Sequence, residues 1–312
     1  MKKIFWIDGG AGRIIAAIPA LIKYSKLNPN SDWAILAGAW DFLLWGIPEL
    51  QDRVYNVDNK GVFDNIVKNC DVIVTPEPYR NPAYFRQEIS LSQGFDREIN
   101  NTTDHSDLLP PVMIFNHQEL SVAKHTIQQL KSVQKKQKTI VFQPFGRGAK
   151  LDNDSVVDDE SRSLSSSDYL KLVKKLSVKY NMIFFGEPEF QLQSDSYAAK
   201  YTCDLRQWGA LIAEADYFIG VDSVGQHMAR AVGTPGTVIF GSTFPINTSY
   251  PDYFQILDRP INKKYTPIRI AGVDVSLSNR LNESTVKFTD KELNDIYSSI
   301  VNDIEKKVKV VK

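Results

Sequence analysis

Short apolar runs bounded by Gly, Pro, Asn and Asp recur along the chain, and between them apolar residues fall at helical spacing. KIFWI (3–7), WAILA (33–37), RVYNV (53–57), DVIVT (71–75) and VMIFN (112–116) read as a first set of strands. TIVFQP (139–144), NMIFFG (181–186), YFIGV (217–221), TVIFG (237–241) and FQIL (254–257) read as a second. Apolar strands alternating with helices are the mark of parallel βα units covered on both faces. After the first strand, Ile14, Ile18, Leu21 and Ile22 share one helix face, and helical periodicity returns near 167–179, 206–215 and 224–232. Leu293, Ile296, Tyr297, Ile300 and Ile304 define an amphipathic helix with Thr289 as its N-cap. The stretch 76–111, with prolines at 76, 78, 82, 110 and 111, reads as irregular. Residues 118–138 read as a polar helix with a basic connector, and 151–168 as a mobile Ser/Asp-rich loop.

Two consecutive α/β sets in 312 residues imply two domains, 1–137 and 138–288, followed by a terminal helical segment 289–312. Hydrophobic residues make up 43%, which supports packed cores and excludes global disorder. Lys+Arg and Asp+Glu both number 37, which argues against a protein held by bulk attraction to a phosphate backbone. The two cysteines have no CxxC spacing, so neither a disulfide framework nor a structural zinc site is expected, and a cytoplasmic location fits. MKKIFWIDGG is too short in apolar residues for a signal-peptide core, and no apolar run approaches the roughly 20 residues that cross a bilayer.

The chemistry concentrates at strand ends. In GVDSVGQHMARAVGTP (220–235), Asp222 and Ser223 close a strand, a helix starts near Val224 or Gly225, and His227 lies in its first turn. A helix N-terminus beyond the carboxyl end of a parallel strand offers N–H groups and positive potential to a phosphate or a sugar hydroxyl. Alternatively, Asp222 or Ser223 caps the helix and nothing more. In FQPFGRGAK (142–150), Gly146 and Gly148 allow close backbone approach while Arg147 and Lys150 can neutralise a diphosphate; a solvated turn is the alternative. GGAGR (9–13) does not fit the dinucleotide fingerprint without shifting a glycine. DND (152–154) sits in the Ser/Asp-rich loop and reads as solvated, and His105, His117 and His125 have no metal-ligand spacing, so no metal site is expected.

ADYFIGVDSVGQHMARAVGTPGTVIFGSTFP resembles the signature of glycosyltransferase family 9, the heptosyltransferase-like enzymes. Asp222, Ser223, His227, Ala229, Gly233, Pro235, Phe240, Gly241 and Thr243 stand in register with it, while Val224 occupies the place of the glycine that follows Asp-Ser. GGAGRIIAAIPALIKY (9–24) resembles the family's opening loop and helix through Gly12, Pro19, Ala20 and Leu21, with Arg13 at the position of the acid proposed as general base. The resemblance implies the GT-B architecture: two Rossmann-like domains with parallel sheets facing across a cleft, the acceptor on the first and the donor on the second. The terminal helix would pack back on the first domain.

It further implies inverting transfer of a hexosyl, heptosyl or pentosyl unit from a nucleotide diphospho-sugar, without a cofactor. Donor-binding residues are then Gly12, Arg147, Gly148, Lys150, Glu187 (against the ribose), Asp222, Ser223, Val224, Gly225 and His227. Guanidinium cannot accept a proton at physiological pH, so Arg13 is a departure at the catalytic position. Asp8 is the nearest substitute base, with Asp41 and Glu77 behind it. The acceptor is a glycan, a glycolipid met peripherally at a membrane, or a modified DNA base. A nucleic-acid acceptor would need a basic, aromatic groove, for which Arg80, Tyr84, Phe85 and Arg86 are the candidates. A catalytically inactive nucleotide-sugar-binding homologue is the other alternative.

Overall fold

The computed structural model describes residues 2–153, 155–158, 162–186, 190, 196–259 and 286–308. They form two compact units that divide after Asn116. The first holds β1 (Lys3–Ile7), α1 (Ala11–Leu27), β2 (Trp33–Ala37), β3 (Val54–Asn56), β4 (Val72–Val74), α2 (Pro82–Phe85) and α3 (Leu91–Asn100). Its strands are parallel in the order β3-β2-β1-β4. Ile4, Phe5, Ile35 and Leu36 are completely buried, which is why the central strands read as unbroken apolar runs.

The second unit opens with α4 (His117–Gln134) and β5 (Thr139–Gln143), then the hairpin β6 (Ala149–Asp152) and β7 (Ser155–Asp158). There follow α5 (Ser166–Ser177), β8 (Asn181–Phe184), β9 (Ala199–Lys200), α6 (Leu205–Glu214), β10 (Tyr217–Val221) and α7 (Val224–Val232). β11 (Gly236–Phe240), α8 (Pro245–Thr248), β12 (Gln255–Asp258) and α9 (Asp290–Lys307) complete it. The six-stranded parallel sheet runs β12-β11-β10-β5-β8-β9. Counted within the unit, that is the doubly wound order of a full Rossmann sheet, and the first unit has its 3-2-1-4 half. The α/β class with parallel sheets is therefore as the sequence predicts.

Several expectations differ in detail. The sequence reading divides the chain at 137/138, whereas α4 lies in the second unit, where Arg206 of α6 holds Glu119 at 2.5 and 2.9 Å. α9, read as returning to the first domain, buries Ile296, Ile300 and Ile304 in the core of the second with Ile140, Phe142, Ile219 and Val221. Full burial of each such side chain is worth about 1.5–3 kcal/mol. VMIFN is not assigned to a strand. The segment read as a mobile loop contains the end of β6, β7 and the start of α5, with Asp158 and Ser163 buried. Within the stretch read as irregular, α3 starts at a capping box formed by Ser90 and Gln93.

Candidate functional site

In an open α/β sheet the crevice for a ligand lies beyond the carboxyl ends of the strands where the chain order reverses. In the second unit that point is between β5 and β10, the neighbours Gln143 and Gly220 being in register. β5 ends at Gln143, and its side chain spans the gap: Oε1 accepts from the Gly225 N–H at 2.9 Å and Nε2 donates to Ser223 Oγ at 3.2 Å. The amide end of Gln143 thus caps α7 from a neighbouring strand, while Ser223, the N-cap residue, makes no side-chain cap bond. This close approach demands glycine, since a Cβ at 225 would sit 2.4 Å from Gln143 Oε1 and 2.7 Å from the Phe218 ring.

Asp222 does not cap the helix either. It is 5% exposed, and its Oδ1 accepts from Gln226 Nε2 at 2.9 Å. Its Oδ2, together with Oε1 of the fully buried Gln226, has no hydrogen-bond partner. Thr243 Oγ1, beyond the end of the adjacent β11, is also buried without a partner. A buried carboxylate oxygen without a donor costs several times what a surface one does, so this arrangement waits for donors. Two neighbouring donors are already engaged: the Gly225 N–H with Gln143, and the Gln226 amide with Asp222. His227 supplies no charge, because burial pushes its pKa down to about 4 against the opposing pull of Asp222. Its Nδ1 lies 2.9 Å from Tyr250 Oη, so this histidine is built into the fold of the segment after β11. What remains at the switch point is a buried pair of carbonyl-type acceptors, Asp222 Oδ2 and Gln226 Oε1, together with the unpaired Thr243 hydroxyl.

Cations lie one loop away. After β5, Phe145 is buried against Tyr169, Phe184 and Phe190, and Gly146 N–H donates to Ser163 Oγ at 2.8 Å, itself bonded to Asp158 Oδ2 at 2.6 Å. These contacts pin the loop so that Arg147 and Lys150 project exposed, with Gly148 half-buried between them. Glu187 and Asp154 lie outside the described residues. Among the described residues no cluster of His, Cys, Asp and Glu is placed to hold a metal ion.

The first unit has its own switch point, between β1 and β4. Here Arg13, 7% exposed in the first turn of α1, donates from Nη1 to Glu77 at 2.9 and 3.2 Å and from Nη2 to the Pro76 carbonyl at 2.7 Å. Its guanidinium lies 5.2 Å from the Tyr79 ring and 5.4 Å from Phe95. The crevice is therefore filled by an internal ion pair, and Glu77, one of the substitute bases, is held by it. Asp41 Oδ1 accepts from Asn56 Nδ2 at 2.8 Å. Asp8, at the end of β1, is exposed, with Oδ1 bonded only to the adjacent Gly9 N–H at 2.6 Å among the described residues. Gly12 lies within α1, whose start carries no side-chain cap. Of the four candidates for stacking nucleic acid, Tyr84 is buried and Arg86 is paired with Glu88.

Residues 194–276, which include β10, α7 and β11, match the family model of glycosyltransferase family 9 (heptosyltransferase). The structure is similar to a glycosyl transferase family 9 protein of Veillonella parvula (TM-score 0.61, 13% identity, 83% of this chain and 86% of that one). It is also similar to the ADP-heptose lipopolysaccharide heptosyltransferase II of E. coli (TM-score 0.57, 16% identity, 96% and 99%). A third similar structure is the dodecameric heptosyltransferase TibC of E. coli in complex with ADP-D-β-D-heptose (TM-score 0.57, 11% identity, 99% and 76%). At these identities the likeness establishes the fold, an α/β fold of the GT-B glycosyltransferases. Comparison with curated protein sequences finds no match.

The matched segment thus supplies the hydrogen-bond acceptors of the second switch point, Asp222 and its neighbour Gln226. Its partner across the crevice, Gln143, lies outside the matched residues and was missed by the sequence reading. So were Gln226 and Tyr250. The only signal for Gln143 is its place at the end of a buried strand followed by Pro144, where a polar side chain has no reason to sit unless it has a partner. Val224, in place of the expected glycine, is accommodated because Gly225 takes the tight contact. No helix among the described residues is long and apolar enough to cross a membrane.

Proposed function

We propose that the chain transfers a glycosyl unit from a nucleotide diphospho-sugar to an acceptor hydroxyl with inversion of the anomeric centre. The observation that carries this reading is the pair of buried, unpartnered acceptors at the β5–β10 switch point, Asp222 Oδ2 and Gln226 Oε1. Two such acceptors on neighbouring turns of one segment match two hydroxyls of one polyol. Arg147 and Lys150, on the pinned loop, meet the diphosphate, which departs with the electron pair of the broken glycosidic bond and is stabilised by their charge. Asp8 is the proposed general base. It takes the proton of the acceptor hydroxyl as that oxygen bonds to the anomeric carbon. In this scheme Arg13 takes no proton; it fixes Glu77 and the turn after β4.

The test is a thermal-shift panel of ADP-, UDP-, GDP-, CDP- and dTDP-sugars, with NADH as control, on the wild type and on Asp222→Ala. One nucleotide class should stabilise the wild type selectively, by about 2.7 kcal/mol at 100 times its Kd. In Asp222→Ala the affinity should fall roughly 10- to 100-fold, the value of hydrogen bonds to a charged acceptor. The ligand-free variant should lose about 1–3 kcal/mol of stability, because the buried Gln226 Nε2 is left without its acceptor. Stabilisation by NADH alone, or a variant that loses stability and keeps its affinity, would overturn the reading.

A further inference from the structure

At the amino ends of the second sheet, opposite the candidate site, two helix-to-strand connections meet. α4 leads into β5 and α5 leads into β8, and these strands are neighbours, with Thr139 in register with Asn181. Asn181, wholly buried, sews the two connections together. Its Nδ2 donates to the Lys136 carbonyl at 2.9 Å and its Oδ1 accepts from the Lys136 N–H at 3.3 Å. Its own N–H donates to the Lys138 carbonyl at 2.9 Å. Lys135, Lys136 and Lys138 are thereby held beside Lys179, two residues before Asn181. The grip is on backbone and leaves the lysine side chains outside it: Lys135 and Lys179 are exposed, Lys136 and Lys138 half-buried.

Helix ends account for only part of this charge. Lys131, Lys174 and Lys175 lie in the last turns of α4 and α5, where a cation complements the carbonyl ends. Lys135, Lys136, Lys138 and Lys179 lie beyond those turns, and among the described residues none of the four is in an ion pair. Of the acids at this edge, Asp216 holds Lys131 at 3.4 Å and Asp303 holds Lys307 at 3.1 Å, while Glu214 ends α6 and Glu305 stands near Tyr180. Two valines flank the lysines. Val133, two residues before Lys135, is 77% exposed, and Val178, next to Lys179, is 70% exposed. These are the highest values for large apolar side chains among the described residues, although Leu130 and Leu176 in the same helix ends are buried. The helices thus reach the core, and the valines stand outside it.

We propose that this edge docks on an anionic lipid bilayer, with Val133 and Val178 entering the headgroup layer and the four lysines lying against lipid phosphates. Such a surface attracts each lysine through its negative potential and accepts protruding apolar groups just beneath it. Nucleic acid fits less well. Lysine lacks the fork of arginine, and bases need a ring to stack on, whereas Tyr180, beside Lys179, is 4% exposed. The candidate site lies at the other end of the same strands, since β5 spans about 13 Å of extended chain from Thr139 to Gln143. Docking therefore leaves Gln143 and Asp222 on the side of the unit away from lipid, open to a ligand in water. The proposal does not rest on the transferase reading.

The experiment floats the full-length protein with vesicles of phosphatidylcholine alone and with vesicles containing about 40 mol% phosphatidylglycerol. The protein should bind the second and leave the first, and salt at about 0.5 M should weaken binding by screening. Lys135→Gln, Lys136→Gln and Lys179→Gln together should weaken it about 100-fold, roughly fivefold for each charge. Val133→Ser with Val178→Ser should weaken it about tenfold. Both variants should melt with the wild type, because the Asn181 bonds are to backbone and the valines touch solvent. A matched control, Lys60→Gln, Lys68→Gln and Lys291→Gln, should bind as the wild type does. Equal binding to both vesicles, full binding by either edge variant, or an equal loss in the control overturns the proposal. So does a single-stranded oligonucleotide that binds more tightly than the vesicles and is released by the same three edge substitutions. If the anionic vesicles bind and no nucleotide stabilises the protein, the transferase reading falls and the docking surface stands.

Discussion

The two sheets present the same topological feature, a switch point, and have filled it in opposite ways. Between β1 and β4 a donor-rich side chain, Arg13, meets acceptors from Glu77 and Pro76, and the crevice is closed by partners from within the chain. Between β5 and β10 the Gln143 side chain satisfies the helix start, yet Asp222 and Gln226 each keep a buried acceptor atom unpaired. The difference separates a satisfied clamp from an unsatisfied polar cluster. A polar group whose partners are all internal stabilises the fold, whereas one left unpaired under burial lowers stability and is retained where a ligand completes it.

Replacing Arg13 gives the largest expected effect. Arg13→Ala leaves the Glu77 carboxylate buried without its partner and should cost about 3–5 kcal/mol in urea unfolding, most of it recovered in the double variant Arg13→Ala, Glu77→Leu. Nucleotide-sugar affinity should be unchanged; a collapse of affinity without loss of stability would make the first switch point a ligand site as well.

His227 sharpens the contrast from the second side. Its pKa is about 4 in the folded chain against 6.5 as the ordinary value. Between these values the unfolded chain binds the proton and the folded chain does not, so stability is complete above about pH 6.5 and falls as pH drops towards 4. The loss should approach about 3 kcal/mol and stop below that pH. His227→Gln should flatten this part of the pH–stability curve, and equal slopes for the two proteins would refute the assignment.

The smallest effect belongs to Gln143. Removing its side chain in Gln143→Ala strands the buried Gly225 N–H at a cost of about 1–3 kcal/mol. Gln143→Glu keeps the acceptor, so it should retain more stability while placing a negative charge where the donor enters and weakening nucleotide binding. Equal affinity in Gln143→Glu and wild type would remove Gln143 from the candidate site.

Much of this was readable from the chain alone. YFIGV and TVIFG are almost wholly apolar because both faces of their sheet are covered, and Thr289 with Glu292 announces α9. VMIFN carries the same apolar pattern and is not a strand; of its residues Met113 alone is buried and Ile114 is 39% exposed, so an apolar run by itself does not decide burial in a sheet. β6 and β7 pair through backbone groups with few apolar residues, so they left no periodic trace. At the sites, local features were legible: Asp222 at a strand end and glycine at the helix start. Their partners were not, since Gln143 meets Gly225 across 82 residues and Arg13 meets Glu77 across 64.

One seam bears on how the protein is made. Tyr217 of the central strand donates its hydroxyl to Asp303 of α9, and Gln255 of β12 bonds Ser299 Oγ at 3.0 Å on the same helix. Translation delivers the chain from its N-terminus at a few residues per second, and domains fold as units when complete. The first sheet can close once its strands through residue 74 have emerged. The second must wait with Ile140, Ile219 and Tyr217 uncovered until residue 304 has cleared the ribosome. During that interval it is the natural client of a chaperone, and a ribosome stalled short of α9 would release an intermediate prone to aggregate.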